Sequence, residues 1–392
     1  MNAVKSTDLS NGLSGILTTC VGYTLILFMP LYLEFVAQSL SLNESQVGLL
    51  AATDAGGLAL AALLFAVFIK RLNFKYVVLV GCAIAIAGNL LSISLSDFGL
   101  LCAVRVLTGL GEGLVVAAGI SVVGMVSNPN RWFGLYTAAV VVVQAIGLIV
   151  LPVIEQHFDV QGLFIFFALL FLLPLLVYGR MPEHSTSVEL SEVDDNKIDS
   201  SLSKLLLLAL MGQLVFYAGI GGVWAYISLM GSEQGLDINV VSQSLAISMA
   251  VGALGGLAFA ALGKRGDSQM LFALSTLVMV GCLAGLVSFN ALSYLVVLCI
   301  FSFFWSLLGA RLFAVVSDAD HSGKYISAAQ TVLSLGYMVG PLVAAMLFED
   351  FAYQGVLAMA AIAFVICFVM VLPLIKRLDK QSDEQTQLSA HN

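Results

Sequence analysis

Three ionisable side chains stand inside long apolar runs of this 392-residue chain: Asp54, Arg105 and Glu112. An ionised group at the centre of a bilayer costs about 2.5–3.5 kcal/mol on insertion scales, so such residues face a partner or a water-filled cavity. At about 1.5 Å of rise per residue, Asp54 lies roughly 10 Å into its run and Arg105 roughly 9 Å into its own. Both runs proceed in the same direction, which predicts an acid and a base at one depth, paired directly or through water. Glu112 follows Arg105 by seven residues, nearly two helical turns, and returns to the same face about 10 Å further on. A proton or a solute that competes with this ion pair would supply a coupling chemistry. The plainer account is a fixed salt bridge that holds two helices together.

Other polar groups in the runs are weaker candidates. Glu34 and Arg311 stand near run ends, within snorkelling reach of an interface. Tyr23, Gln213, Tyr217, Trp224, Tyr226 and Trp305 also stand inside the runs, and Tyr and Trp offer an apolar face with one hydrogen-bonding tip, which suits an amphipathic organic solute. Gln213 and Tyr217, spaced i, i+4, should share a face. Gly109 and Gly113 form a Gly-x-x-x-Gly step suited to close helix packing, and Gly336, Gly340 and Pro341 make a similar string later in the chain. The four histidines fall in loops or tails and the six cysteines inside apolar runs, which argues against a metal site and gives no disulfide pattern. No Gly-x-x-x-x-Gly-Lys-Ser/Thr or Gly-x-Ser-x-Gly string is present, so neither ATP, another cofactor nor an enzyme's catalytic residues are implied.

The composition, 60% apolar and 10% charged with a mean hydropathy of +1.02, is far from the roughly 25% charge of a soluble domain. It excludes an ordinary soluble enzyme, and the net charge of −8 argues against a nucleic-acid partner. Twelve runs approach the roughly 20 apolar residues that span a bilayer: 12–36, 47–69, 76–95, 99–125, 132–154, 161–179, 203–229, 241–263, 269–288, 292–316, 326–347 and 354–375. The polar stretch 180–202 divides six from six as a linker, leaving bundles at 12–179 and 203–375, an N-terminus 1–11 and a tail 376–392. Of 16 Lys and Arg residues, the 14 outside the runs all lie on the side of the N-terminus, whereas the opposite loops carry acids such as Glu44, Asp97, Glu155, Glu233 and Glu349. The positive-inside rule therefore places both termini and the linker in the cytoplasm. A bacterial inner membrane and a monomer are the expectation.

The halves also align. Val47/Val241, Leu60/Leu254, Lys70/Lys264 and Arg71/Arg265 match without a gap, as do Gly134/Gly323, Tyr136/Tyr325, Gly147/Gly336 and Pro152/Pro341. This reads as a duplicated six-helix unit with parallel repeats. The repeat partner of Asp54 is Ser248, so the fold by itself does not require an acid there.

With these features the sequence resembles the major facilitator superfamily over essentially its whole length. Leu40–Leu50 looks like the start of that family's second helix, and Arg105-Val-Leu-Thr-Gly109-Leu-Gly111-Glu-Gly113 is similar to its fourth-helix motif. Lys70–Lys75 occupies the place of its Gly/Asp-Arg-x-Gly-Arg-Arg loop, with Lys70 where the Asp is expected and Asn73 where a Gly is expected, so the family's gate latch does not carry over. The antiporter-type Gly-x-x-x-Gly-Pro string is missing from the fifth helix, where only Gly147 and Pro152 remain. The resemblance implies an all-α protein of two six-helix bundles, with the first, fourth, seventh and tenth helices on a central cavity. It implies a secondary transporter of a small organic solute, with proton coupling and symport expected. A proton-driven multidrug-type exporter and a non-transporting membrane sensor are the alternatives. On this arrangement Glu112 is expected on the cavity wall, and the resemblance implies a substrate-binding surface formed by Tyr23, Gln213, Tyr217, Trp224, Tyr226 and Trp305.

Overall fold

The computed structural model describes residues 2–69, 71–126, 129–184, 200–262, 268–320 and 324–390, all of whose regular structure is helical. Lys70, Lys264, Arg265, Gly323 and most of the expected linker lie outside the described residues. The helices are α1 (Asn2–Gly22), α2 (Thr24–Leu40), α3 (Glu44–Phe68), α4 (Phe74–Ser92), α5 (Phe98–Gly124), α6 (Pro129–Leu170), α7 (Leu172–Val177), α8 (Ser200–Glu233), α9 (Ile238–Leu262), α10 (Ser268–Gly285), α11 (Ala291–Ala319) and α12 (Lys324–Ala390). Several begin on side chains that occupy free backbone N–H groups: Asn43 in a reciprocal capping box with Gln46, Asn290 in another with Ser293, and Asn73 and Asp97 as single caps.

Nine stretches among the described residues are long and apolar enough to cross a membrane. Two of them, Arg131–Arg180 and Ala328–Lys380, run to 50 and 53 residues, more than twice what one crossing needs. Each contains one non-helical residue, Asp159 (φ 54°) and Ala352 (φ 50°), and is read as two crossings joined there. With the shorter apolar helix Gln269–Gly285 the total agrees with twelve. Short loops were expected at 155–160 and 348–353; instead a single residue with positive φ joins helix to helix. The first crossing is also interrupted, at Tyr23 between α1 and α2.

Large apolar side chains such as Val67, Leu277, Leu292 and Val369 are exposed on the outside, the surface that hydrocarbon would cover. Contacts between helices instead use small residues, because lipid competes for apolar surface and close backbone approach supplies the packing energy. A Cβ at Gly81 would stand 2.7 Å from the Gly111 carbonyl oxygen, and one at Gly113 2.6 Å from that of Leu58. The two halves meet through α2 against α8, α3 against α12, and α6 against α9. Under the repeat the last two pairs are equivalents, so one seam geometry is used twice.

Candidate functional site

Inside the N-terminal half, α3, α4 and α5 bring four polar side chains together: Asp54, Asn89, Arg105 and Glu112. Arg105 donates from Nε to Asp54 Oδ1 at 2.7 Å and from Nη1 to Asn89 Oδ1 at 3.0 Å, while its Nη2 lies 3.8 Å from Glu112 Oε1. Asn89 is held by its own amide donating to the Ala85 carbonyl at 2.9 Å. The guanidinium carbon lies 5.6 Å from the Tyr32 ring centroid and 5.9 Å from that of Phe164, within the range of cation–π attraction. The cluster is sealed: Arg105 is 0% exposed, Glu112 1% and Asp54 3%. Arg105 Nη2 and Glu112 Oε1 make no hydrogen bond, and the Tyr32 hydroxyl faces the Asp54 carboxylate. One cation thus serves two acids, with polar capacity unused around it. The packing beside it is backbone on backbone, for Gly109 lies against the Asp54 carbonyl and Gly113 against Leu58 and Ala61.

A cavity of about 710 Å³ lies between the halves, within the 300–1,000 Å³ usual for ligand pockets. Its walls come from α2, α6, α8, α9, α11 and α12, and it extends from the middle of the bundle toward the N-terminal side, past Gly134, Ala260 and Phe313. Tyr23, Tyr217, Trp224 and Trp305 line it. The indoles of Trp224 and Trp305 lie 6.0 Å apart at 50°, and the Tyr217 ring lies 6.0 Å from that of Tyr337. Trp224 Nε1 donates to the Ile26 carbonyl at 3.0 Å, and Gln330 Nε2 donates to the Tyr23 hydroxyl at 3.1 Å.

Beyond the cavity, on the face away from the N-terminus, the halves are sewn together. Ser228 and Ser232 of α8 donate their hydroxyls to the Glu34 carboxylate of α2, which also accepts from Gln38 at 3.2 Å. Tyr226 donates to the Glu44 carbonyl at 2.6 Å, Ser45 to the Ala345 carbonyl at 3.0 Å, and Ser242 to the Leu148 carbonyl at 2.6 Å. Gly48 approaches the Pro341 carbonyl and Tyr226. By the repeat register Gly48 is the counterpart of Ser242, and each meets a carbonyl of the facing helix.

Several expectations change. Glu112 does not line the cavity; no α5 residue does, because α5 turns its polar face inward onto α3 and α4. Tyr226 leaves the cavity for the seam, where it stacks on Phe348 at 5.7 Å; two residues past Trp224 is about 200° around the helix. Gln213 is fully buried, off the cavity wall, with both amide atoms unpartnered. Glu34 is no interfacial acid but a 1% exposed link between halves. Arg311, half-buried with Nε unpartnered, lies in the field of Asp379 and Asp318 near the bundle end. Gly336 and Gly340 pack against Leu214, Tyr217 and Ala218 of α8. In the partly matching loop, Lys75 pairs at 3.1 Å with Glu183, at the start of the expected linker. Gln144, Gln330 and Tyr337 of the cavity and Asn89 of the charge cluster were missed. Their only sequence signal was an uncharged polar group inside an apolar run.

The sequence matches the family profile of the Major Facilitator Superfamily over residues 14–320 and again over 302–391. No curated protein matches it. Among solved structures it is similar to the nucleoside transporter NupG (11% identity, 94% of this chain and 99% of that one, TM-score 0.73). It is also similar to a bacterial homolog of the human lysosomal transporter Spinster, solved inward-facing and unoccupied (13% identity, 96% of each chain, TM-score 0.69). A D-xylose-proton symporter is a third (15% identity, 94% of this chain and 97% of that one, TM-score 0.69). At these identities the likeness shows the fold.

Proposed function

The chain belongs to the Major Facilitator Superfamily, and from that premise we propose that it is a proton-coupled secondary transporter moving a small organic solute by alternating access. One observation carries this reading: a solute-sized cavity between the halves leads to the N-terminal side and is closed on the other by contacts that are entirely inter-half. Those contacts are single hydrogen bonds and close approaches, each worth on the order of 0.5–3 kcal/mol, so rocking the halves can break them without unfolding either. With the termini in the cytoplasm, the cavity in this state faces the cytoplasm.

Coupling is assigned to Asp54, Arg105 and Glu112, whose composition of one cation and two acids suits exchange of a proton. The cluster has mechanical access to the gate. Asp54 stands six residues from Gly48 on α3, about 9 Å along the helix, and Tyr32 stands two residues from Glu34 on α2. A change of protonation at Asp54 or Glu112, beside Arg105, therefore acts on two of the helices that carry the seam. The solved relatives include a proton symporter and a nucleoside transporter by name, in keeping with symport of a small solute across a bacterial inner membrane.

The test is internal pH in proteoliposomes of known orientation, challenged with anionic, zwitterionic, neutral and cationic solutes, with Asp54→Asn and Glu112→Gln beside wild type. One solute class is expected to move protons, and a carboxamide variant to uncouple it. Labelled solute that equilibrates without proton movement in any variant would remove the coupling assignment. No flux of any solute would favour a sensor on the same fold.

A further inference from the structure

The lining of the cavity restricts what it can hold. Among the described residues that form its walls, none is Asp, Glu, Lys or Arg. Among the described residues, the charges buried within the bundle are engaged elsewhere. Asp54, Arg105 and Glu112 are closed inside the N-terminal half, Glu34 is enclosed by Ser228, Ser232 and Gln38 in the seam, and Arg311, half-buried and outside the cavity lining, is in the field of Asp379 and Asp318. An ion in such a space finds no countercharge, and desolvating one costs several kcal/mol that weak dipoles do not return.

The walls do offer hydrogen bonds, and of a definite kind. Gln144 gives its Nε2 to the Leu27 carbonyl at 3.1 Å; that carbonyl only accepts, so the orientation of the amide is fixed and its Oε1 is left as an acceptor. Gln330 donates from Nε2 to the Tyr23 hydroxyl, which leaves its Oε1 as an acceptor, and each carboxamide keeps a second N–H. Tyr23, receiving that bond, retains its own O–H as a donor, and the Tyr217 and Tyr337 phenols add donors on the same wall. The Trp224 and Trp305 indoles, 6.0 Å apart, complete the lining. Carboxamide oxygens ask for N–H or O–H groups on the solute, phenols for a carbonyl or ring nitrogen, and the indoles for a planar face.

We infer that the cavity selects an uncharged, planar solute that carries both hydrogen-bond donors and acceptors on one edge, held between the Trp224–Trp305 pair and the oxygens of Gln144 and Gln330. This rests on the reading that the cavity is where the transported solute binds.

The experiment uses full-length protein in lipid nanodiscs, with Trp132→Phe so that indole fluorescence reports on the cavity. The probes are isosteric sets: nicotinamide, nicotinate and 1-methylnicotinamide; benzamide, benzoate and benzamidine. The neutral member of a set is expected to bind saturably and at least about tenfold more tightly than its charged partners. Gln144→Leu is expected to weaken it by about 5–50-fold, the range of one hydrogen bond with 1–2.3 kcal/mol at stake. Gln144→Glu, which supplies the missing countercharge, should admit the cationic member instead. A charged probe that binds wild type as well as its neutral isostere, or no saturable binding by either neutral probe, overturns the assignment. Counterflow of the bound probe in proteoliposomes separates the two claims. Neutral binding without counterflow refutes transport and leaves the selectivity, whereas counterflow of a charged probe keeps transport and refutes the selectivity.

Discussion

Placing a side chain at Gly48 should force the far face open. A Cβ there would stand 2.6 Å from the Pro341 carbonyl oxygen and 2.8 Å from Ala345 Cβ, whereas non-bonded carbon contacts settle at about 3.5–4.0 Å. The facing helices would have to part by about 1 Å for a methyl group, and further for a leucine. Overpacking of this kind costs about 1–3 kcal/mol. The cost falls on the closed state alone, because the two surfaces separate when the seam opens. Taking 2–3 kcal/mol for Gly48→Leu, the open-to-closed ratio rises about 30–150-fold, at about 1.4 kcal/mol per tenfold. A far-side-open state populated at about 1% would then reach roughly a fifth to three-fifths. Spin labels at Ser96→Cys and Gln354→Cys, both exposed on the far face, in a background freed of the six native cysteines, would report the change by pulsed electron resonance. Labels at Arg71→Cys and Leu262→Cys would report the other face. The expected result is a longer far-side distance with a shorter N-terminal-side distance, graded from Gly48→Ala to Gly48→Leu. A far-side distribution that overlays wild type would show that Gly48 and Pro341 do not form the seal. Lengthening on both faces together would show loosening rather than rocking.

Ser228→Ala removes one donor from the buried Glu34 carboxylate, a bond to a charged group worth about 1.5–3 kcal/mol; the same labels should show a shift in the same direction, and none if the seam does not depend on Glu34. Arg105→Met leaves Asp54 and Glu112 buried without their cation, at a cost of about 3–5 kcal/mol. Its melting temperature in detergent should fall well below wild type, and Asp54→Asn in the same chain should restore part of the loss. Equal stability of the single and double variants would argue against the pairing. Gly109→Val drives a branched side chain into the Asp54 carbonyl and should reduce the yield of monodisperse protein, whereas Gly134→Val, with nothing within 4 Å of the new Cβ, should not.

The sequence by itself determined the class of protein, because apolar runs of bilayer length and one-sided positive charge follow from the cost of polar groups in hydrocarbon. The duplication was legible in spaced glycines and prolines. So was the meeting of Asp54 and Arg105, since helical rise alone sets depth and an unpaired charge at that depth is too costly. Rotation of each helix about its axis was not legible. In lipid, both the packed face and the exposed face are apolar, so no hydrophobic stripe tells which way Glu112, Tyr226 or Gln213 points. Only the tertiary structure turned α5 inward, sent Tyr226 to the seam beside Phe348 and buried Glu34 against two serines of the other half. It alone assembled the cavity, because Gln144 and Gln330 lie on separate crossings of different halves. Their common purpose exists only where small residues let those crossings pack.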